Sequence, residues 1–233
     1  MRSYNVQDIM QRVRNIIDQN MEDNALVSGE DMDTLELNDV ISENLCPGIR
    51  LVEMAAPIRM LGAGDDFSSG LMGTQDPMVD GCMVFPLPAD YLRLVHFRMA
   101  SWRYGITEPI SMDDARYTMQ RSMVEEVRGN AERPVLAEGY GSNGLTIEAY
   151  TCDAGDKVTV ARYIPEPEVS SSKMVRFPHR LEEAVLYSIA SLTENSFGDS
   201  AKAQELMSTA RIMAGIKESI PQIAQQPVNE EQQ

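Results

Sequence analysis

The apolar residues of this chain recur at a helical period near both ends and at a period of two in the middle. Over Asn5 to Met21, the positions Val6, Ile9, Met10, Val13, Ile16, Ile17 and Met21 follow three- and four-residue steps, which puts them on one face of a helix. Ser3 is the candidate N-cap. After a polar stretch from Glu22 to Asp33, the positions Leu37, Val40, Ile41 and Leu45 mark a second helix. Pro47-Gly48 predicts a break or kink in it, with Ile49 to Ala56 resuming the helix until Pro57 stops it.

From Arg59 to Asp80 the periodicity is lost. Gly62, Gly64, Gly70 and Gly73 stand among Asp65, Asp66, Ser68, Ser69 and Asp76, the composition of a long flexible loop. Gly81 to Trp102 follows as the most apolar landmark. Cys82 to Phe85 reads as a short strand, and Pro86 and Pro88 force an extended backbone suited to a sheet edge or corner. Asp90 begins a turn into a strand from Leu92 to Trp102, with Leu94, His96 and Arg98 on one side and Val95, Phe97 and Met99 on the other. Ser111 to Met123 reads as a short helix capped by Ser111, with Asp113 and Asp114 in its first turn. Arg116, Arg121 and Arg128, on or near it, are candidates for partner contacts or plain solvation. Val135 to Tyr140, Leu145 to Thr151 and Lys157 to Tyr163 are three further strands, in which Ile147 and Ala149 alternate with Glu148 and Tyr150.

Pro165 to Pro167 and Ser170 to Ser172 form a linker, after which the helical period returns. Pro178 to Ser196 carries Leu181, Ala184, Val185, Leu186, Ile189 and Leu192 on one stripe. Ser200 to Glu218 carries Ala203, Leu206, Met207, Ala210, Met213, Ala214 and Ile216, and Phe197-Gly198-Asp199 is the turn between them. The order of elements predicts an α+β, mainly α fold: a helical bundle with an inserted small antiparallel β-sheet or sandwich. In that scheme residues 1–57 and 174–218 are the helical body and 58–173 a β-rich insertion with a short helix near 111–128. Residues 219–233 are a flexible, glutamine-rich tail.

Charge narrows the function classes. The 233 residues carry a net charge of -16, and 15 acidic against 5 basic side chains fall within residues 1–80. Glu22 to Glu43 holds eight acids and no base. Binding nucleic acid through its phosphates needs clustered Lys and Arg, so this balance argues against it; it suits solubility, or a surface that must lie near DNA without adhering. No apolar run reaches the length of a membrane span, and the N-terminus is too polar for a signal peptide, so a soluble protein made in a cytoplasm is expected.

Candidate chemistry is sparse. Cys46, Cys82 and Cys152 are odd in number and lack metal spacing, which predicts three reduced, mostly buried thiols. Nucleotide-binding, zinc-protease and serine-hydrolase motifs are missing, and only His96 and His179 are available for proton transfer. No catalytic, cofactor-binding or metal residues are assigned. A Cys82/His96 nucleophilic pair is the one enzymatic alternative, a small hydrolase. Glu182-Glu183 reads as charge at a helix start, and the GAGDD and QDPMVDG segments do not match the spacing of an EF-hand loop. Of the 16 methionines, Met10, Met21, Met207 and Met213 are expected in the core. Met54, Met60, Met72, Met78 and Met83 are candidates for contacts between subunits.

One resemblance gathers these pieces. The Leu87 to Leu94 segment, LPADYLRL, and the Pro178 to Met207 hairpin, of the form PxxLEEAVLYxIA followed by DxxKAxELM, resemble the head-to-tail adaptor (connector or neck) proteins of tailed bacteriophages. The resemblance implies a structural virion protein assembled as a closed ring of about twelve copies between portal and tail. The portal protein and the next tail ring would be its partners, and the genome would pass through the channel without specific binding. It implies no cofactor and no catalytic residues. Another tail or capsid structural component is the alternative within the same class.

Overall fold

The computed structural model describes residues 1–17, 32–76, 78–122, 124, 127–141, 144–153 and 155–216. The expected end of the first helix at Met21, nearly all of the stretch from Glu22 to Asp33, and the tail 219–233 lie outside them. Strand β1 (Arg2–Asn5) leads into α1 (Val6–Ile16), followed by α2 (Met32–Ala55), α3 (Ile58–Leu61) and the two-residue strands β2 (Asp65–Asp66) and β3 (Thr74–Gln75). Then come β4 (Cys82–Pro86), β5 (Tyr91–Met99), β6 (Ile110–Ser111), α4 (Ala115–Gln120), β7 (Val135–Gly141), β8 (Gly144–Tyr150) and β9 (Val158–Pro165). The chain closes with β10 (Met174–Phe177), α5 (Glu182–Ser196) and α6 (Ser200–Met213).

The helical part follows the apolar period closely. Val6, Ile9 and Val13 of α1, Ile41, Leu45, Ile49 and Val52 of α2, and Leu181, Val185 and Ile189 near or on α5 share one buried cluster. The N-cap of α1 is Asn5, whose side-chain oxygen accepts the Gln7 N–H at 2.8 Å, and not Ser3. Ser3 lies instead in β1, which pairs antiparallel with β10 and ties the start of the chain to the entry of α5. Helix α2 runs unbroken through Pro47. Pro47 and Glu43, whose carbonyl loses its partner, both sit on the exposed face, while the next residue, Gly48, is buried against Ile189. Packing on α5 outweighs the one lost hydrogen bond. Helix α5 is buried beyond its apolar stripe: Ser191 Oγ donates to the Ala203 carbonyl at 2.6 Å and Thr193 Oγ1 to the Ile189 carbonyl at 2.9 Å.

The expectation of a mainly α bundle with one small antiparallel insert is overturned. Among the described residues there are three sheets: β1-β10, β2-β9-β5, and a five-stranded sheet in the order β3-β4-β8-β7-β6, whose last pair is parallel. The fold is a mixed α and β one built in layers. Val95 and Ile164 of the three-stranded sheet join the helical cluster, whereas Leu94, Phe97, Met99 and Ala161 pack against Phe85, Leu136, Ile147 and Ala149 of the five-stranded sheet. The far face of that sheet, with Cys82, Ile110, Ala137 and Tyr150, is covered by Val79 and Tyr117. Both faces of both larger sheets are therefore buried in part, which a small inserted sheet would not provide. No helix among the described residues is long and apolar enough to cross a membrane.

Candidate assembly surface

The segment between α3 and β4 has the composition of a loop but is built from anchored turns. Phe67 donates its N–H to the Ala161 carbonyl at 2.9 Å and sets its ring edge-on to Tyr163, with centroids 5.3 Å apart. Asp66 accepts from both the N–H and the hydroxyl of Ser68. Gly64 has φ +66, and a Cβ there would lie 2.5 Å from the Tyr163 carbonyl oxygen, so both backbone angle and space demand glycine. Further along, Asp76 Oδ1 accepts the Met78 N–H at 2.8 Å, and Val79 is buried with Cys82 and Tyr117. Between these anchors Met72 and Met78 are 84% and 78% exposed. Strand β3, on which they border, is an open edge of the five-stranded sheet.

A polar network under the five-stranded sheet holds this segment in place. Glu148, buried on β8, accepts from Tyr117 Oη at 3.2 Å, Tyr150 Oη at 2.5 Å and Arg121 Nη1 at 3.3 Å. Arg121 Nη2 reaches on to Asp76 Oδ2 at 3.2 Å, and Arg128 Nη1 donates to the Asp80 carbonyl at 2.8 Å. Burial in the first place, and then the bonded carboxylate, raise the Tyr150 hydroxyl far above the ordinary tyrosine range. The three arginines read as candidates for partner contacts or solvation all make bonds within the chain, Arg116 through an exposed pair with Asp114 at 2.6 Å. Asp114 is also the N-cap of α4, where Ser111 was expected, because Ser111 pairs with Glu138 in β6. The alternation of Glu148 and Tyr150 with Ile147 and Ala149 is real. What the alternation could not reveal is that α4 covers the polar side.

The remaining sequence candidates are placed as follows. Cys82 lies in β4 of the five-stranded sheet and His96 in β5 of the three-stranded sheet, and no hydrogen bond joins them among the described residues. Burial pushes the Cys82 thiol up to about 12, with the charges of Glu148 and Asp76 adding to it, the reverse of what a nucleophile needs. His96 packs against Gly105, where a Cβ would come within 1.9 Å of Nε2. Glu182 is bound by Arg12, by Tyr4 Oη at 2.8 Å and by His179 Nδ1 at 2.9 Å, while Glu183 pairs with Arg12 at 2.6 Å. These contacts lock β1 and α1 onto the start of α5. In the two glycine-aspartate segments, Asp65 pairs with Arg176 and Asp76 with Arg121, and no group of three metal-ligating side chains occurs among the described residues. Met54 joins Met72 and Met78 on the surface, whereas Met60 and Met83 turn partly inward. Met213 is exposed, against the expectation that it fills the core.

No protein-family model and no curated protein matches this chain.

Proposed function

We propose that this chain is a structural subunit of a tailed-phage virion, an adaptor in the ring between portal and tail. The observation that carries the reading is the display of Met72 and Met78, two flexible apolar side chains held out at an open sheet edge by a network that uses up its own arginines. A neighbouring subunit would bury that arrangement. The acidic balance supports the same reading, since a negatively charged surface lets DNA pass without adhering. The resemblance of Leu87 to Leu94 and Pro178 to Met207 to adaptor proteins agrees with it.

Mass photometry of the chain, alone and mixed with portal, tests the proposal. The expected result is a ring of about twelve copies, a closed cyclic assembly. Limited proteolysis locates the contact: cleavage near the exposed Met72 and Met78 should be slower in the assembly than in the free chain. Equal cleavage in both states, or a chain that stays monomeric with portal present, overturns the proposal.

A further inference from the structure

The C-terminal part of α2 has two apolar faces. Gly48, Ile49 and Val52 are buried on the inner face, together with Glu53, whose side chain is 0% exposed. On the outer face the exposed positions from 47 to 55 are Pro47, Arg50, Leu51, Met54 and Ala55, which follow the three- and four-residue steps of a packed stripe. Leu51 and Met54 are 48% and 51% exposed, and Arg50, the one charge among the five, is tied to Glu166 at 3.1 Å. The usual polarity of a surface helix is reversed here, with the acid inside and the leucine and methionine outside. Exposed apolar side chains elsewhere, such as Tyr140, Met119 and Ile212, stand singly or beside an exposed charge. A helix that is apolar on both sides is suited to packing on both sides.

The layers select the occupant. Met72 and Met78 border the outer strand of the five-stranded sheet, whereas α2 belongs to the helical layer on the other side of the three-stranded sheet. Packed sheets lie about 10 Å apart, so these two apolar surfaces of one copy do not cover each other. A closed ring is held by two different surfaces that meet between neighbours, and every copy must carry both. Charge permits the pairing. The ionised groups nearest the apolar side chains are spent within the chain, Arg50 on Glu166 and Asp76 on Arg121, while Glu168, near Cys46, and Asp80 are left exposed at the two borders, where water can reach them. We propose that the outer stripe of α2 is the second half of the ring contact and receives the Met72 and Met78 turn of the next copy. This rests on the reading of the chain as a ring subunit and names the complementary surface that such a ring requires.

The test is cysteine cross-linking of the full chain under the conditions in which mass photometry finds the assembly. Met54→Cys is mixed with Met72→Cys, or with Met78→Cys, and oxidised with copper phenanthroline; all three positions are exposed. A disulfide-linked dimer on a non-reducing gel is expected from a mixture and not from any variant alone. Leu51→Lys should unfold at the same temperature as wild type, because the side chain is half exposed, yet need about tenfold more protein to assemble, since the contact would then bury an unpaired charge. Ile212→Lys, at an exposed apolar position on α6, should assemble as wild type. A dimer formed by Met54→Cys alone would show α2 meeting α2 and overturns the proposal. So does an assembly in which neither mixture links, or in which Leu51→Lys assembles normally, and in these cases the ring itself stands. A wild-type chain that stays monomeric with portal present removes the ring and this contact together.

Discussion

Glu53 on α2 offers the sharpest test of how this core is balanced. Its side chain is 0% exposed, and neither carboxylate oxygen has a hydrogen-bond partner. The nearby Arg93 does not help, because its guanidinium donates to the carbonyls of Glu53, Met54 and Ala56 and so closes the end of α2. Burial, with the charge of Glu166 adding to it, raises the Glu53 carboxyl from 4.5 to about 8. The folded chain therefore keeps a proton that the unfolded chain gives up above about pH 4.5. Stability from this group is fully present below that pH and falls by about 1.4 kcal/mol per pH unit until the folded carboxyl ionises. The loss amounts to about 3 kcal/mol at pH 7 and about 5 kcal/mol above pH 8, a large part of a domain's usual 5–15 kcal/mol.

Glu53→Gln removes the ionisation and keeps the shape, leaving at most a fixed cost for an unbonded amide. The difference in unfolding free energy, variant minus wild type, should be small at pH 5 and rise by about 2 kcal/mol or more by pH 7. It should level off by pH 9. Urea unfolding followed by far-UV circular dichroism at pH 5, 7 and 9 measures it. A difference that does not change with pH would refute the reasoning, because it would mean that Glu53 finds a partner or water in the folded chain.

Three further substitutions probe the layers. Gly48→Ala puts a Cβ 2.6 Å from Ile189 Cγ1 and 3.1 Å from its Cα, so α2 and α5 must move apart; a loss of about 1–3 kcal/mol by thermal unfolding is expected. Leu94→Asp places an unpaired charge between the two larger sheets and should prevent folding, seen as loss of the cooperative transition. Arg121→Met leaves Glu148 and Asp76 without their shared cation; about 2–4 kcal/mol should be lost near pH 7, with faster proteolysis at residues 71–79.

The helices were legible because α1 and α2 each bury one face, and a period of 3.6 survives whatever lies on the other side. The strands over 135–141, 144–150 and 158–165 were legible for the matching reason. Strand β5 was not read correctly. Its register shifts between Leu94 and His96, so one extra residue changes the phase. Leu94 then shares a core with Phe97 and Met99, while Val95 turns to the helices, where strict alternation had grouped Val95 with Phe97. Strands β1 and β10 carry too few residues for a pattern, and their pairing spans the whole chain. Nor does a sequence pattern show whether the polar face of β8 meets water or a helix, which is why nothing in it marked Glu148 as the centre of a buried network.

The same internal use of arginine bears on how copies of the chain would associate. Each internal ion pair withdraws one acid and one base together, so pairing leaves the excess of sixteen negative charges undiminished while removing many of the cations that could neutralise a neighbour. Two copies at close range then repel, and the attraction must come from apolar contacts such as Met72 and Met78, which charge does not weaken. Added salt screens the repulsion over about 10 Å at 0.1 M and leaves the apolar term intact. Association of this chain with itself should therefore strengthen as salt rises, and a dimer or ring that weakens in added salt would show that ion pairs and not apolar contacts hold it.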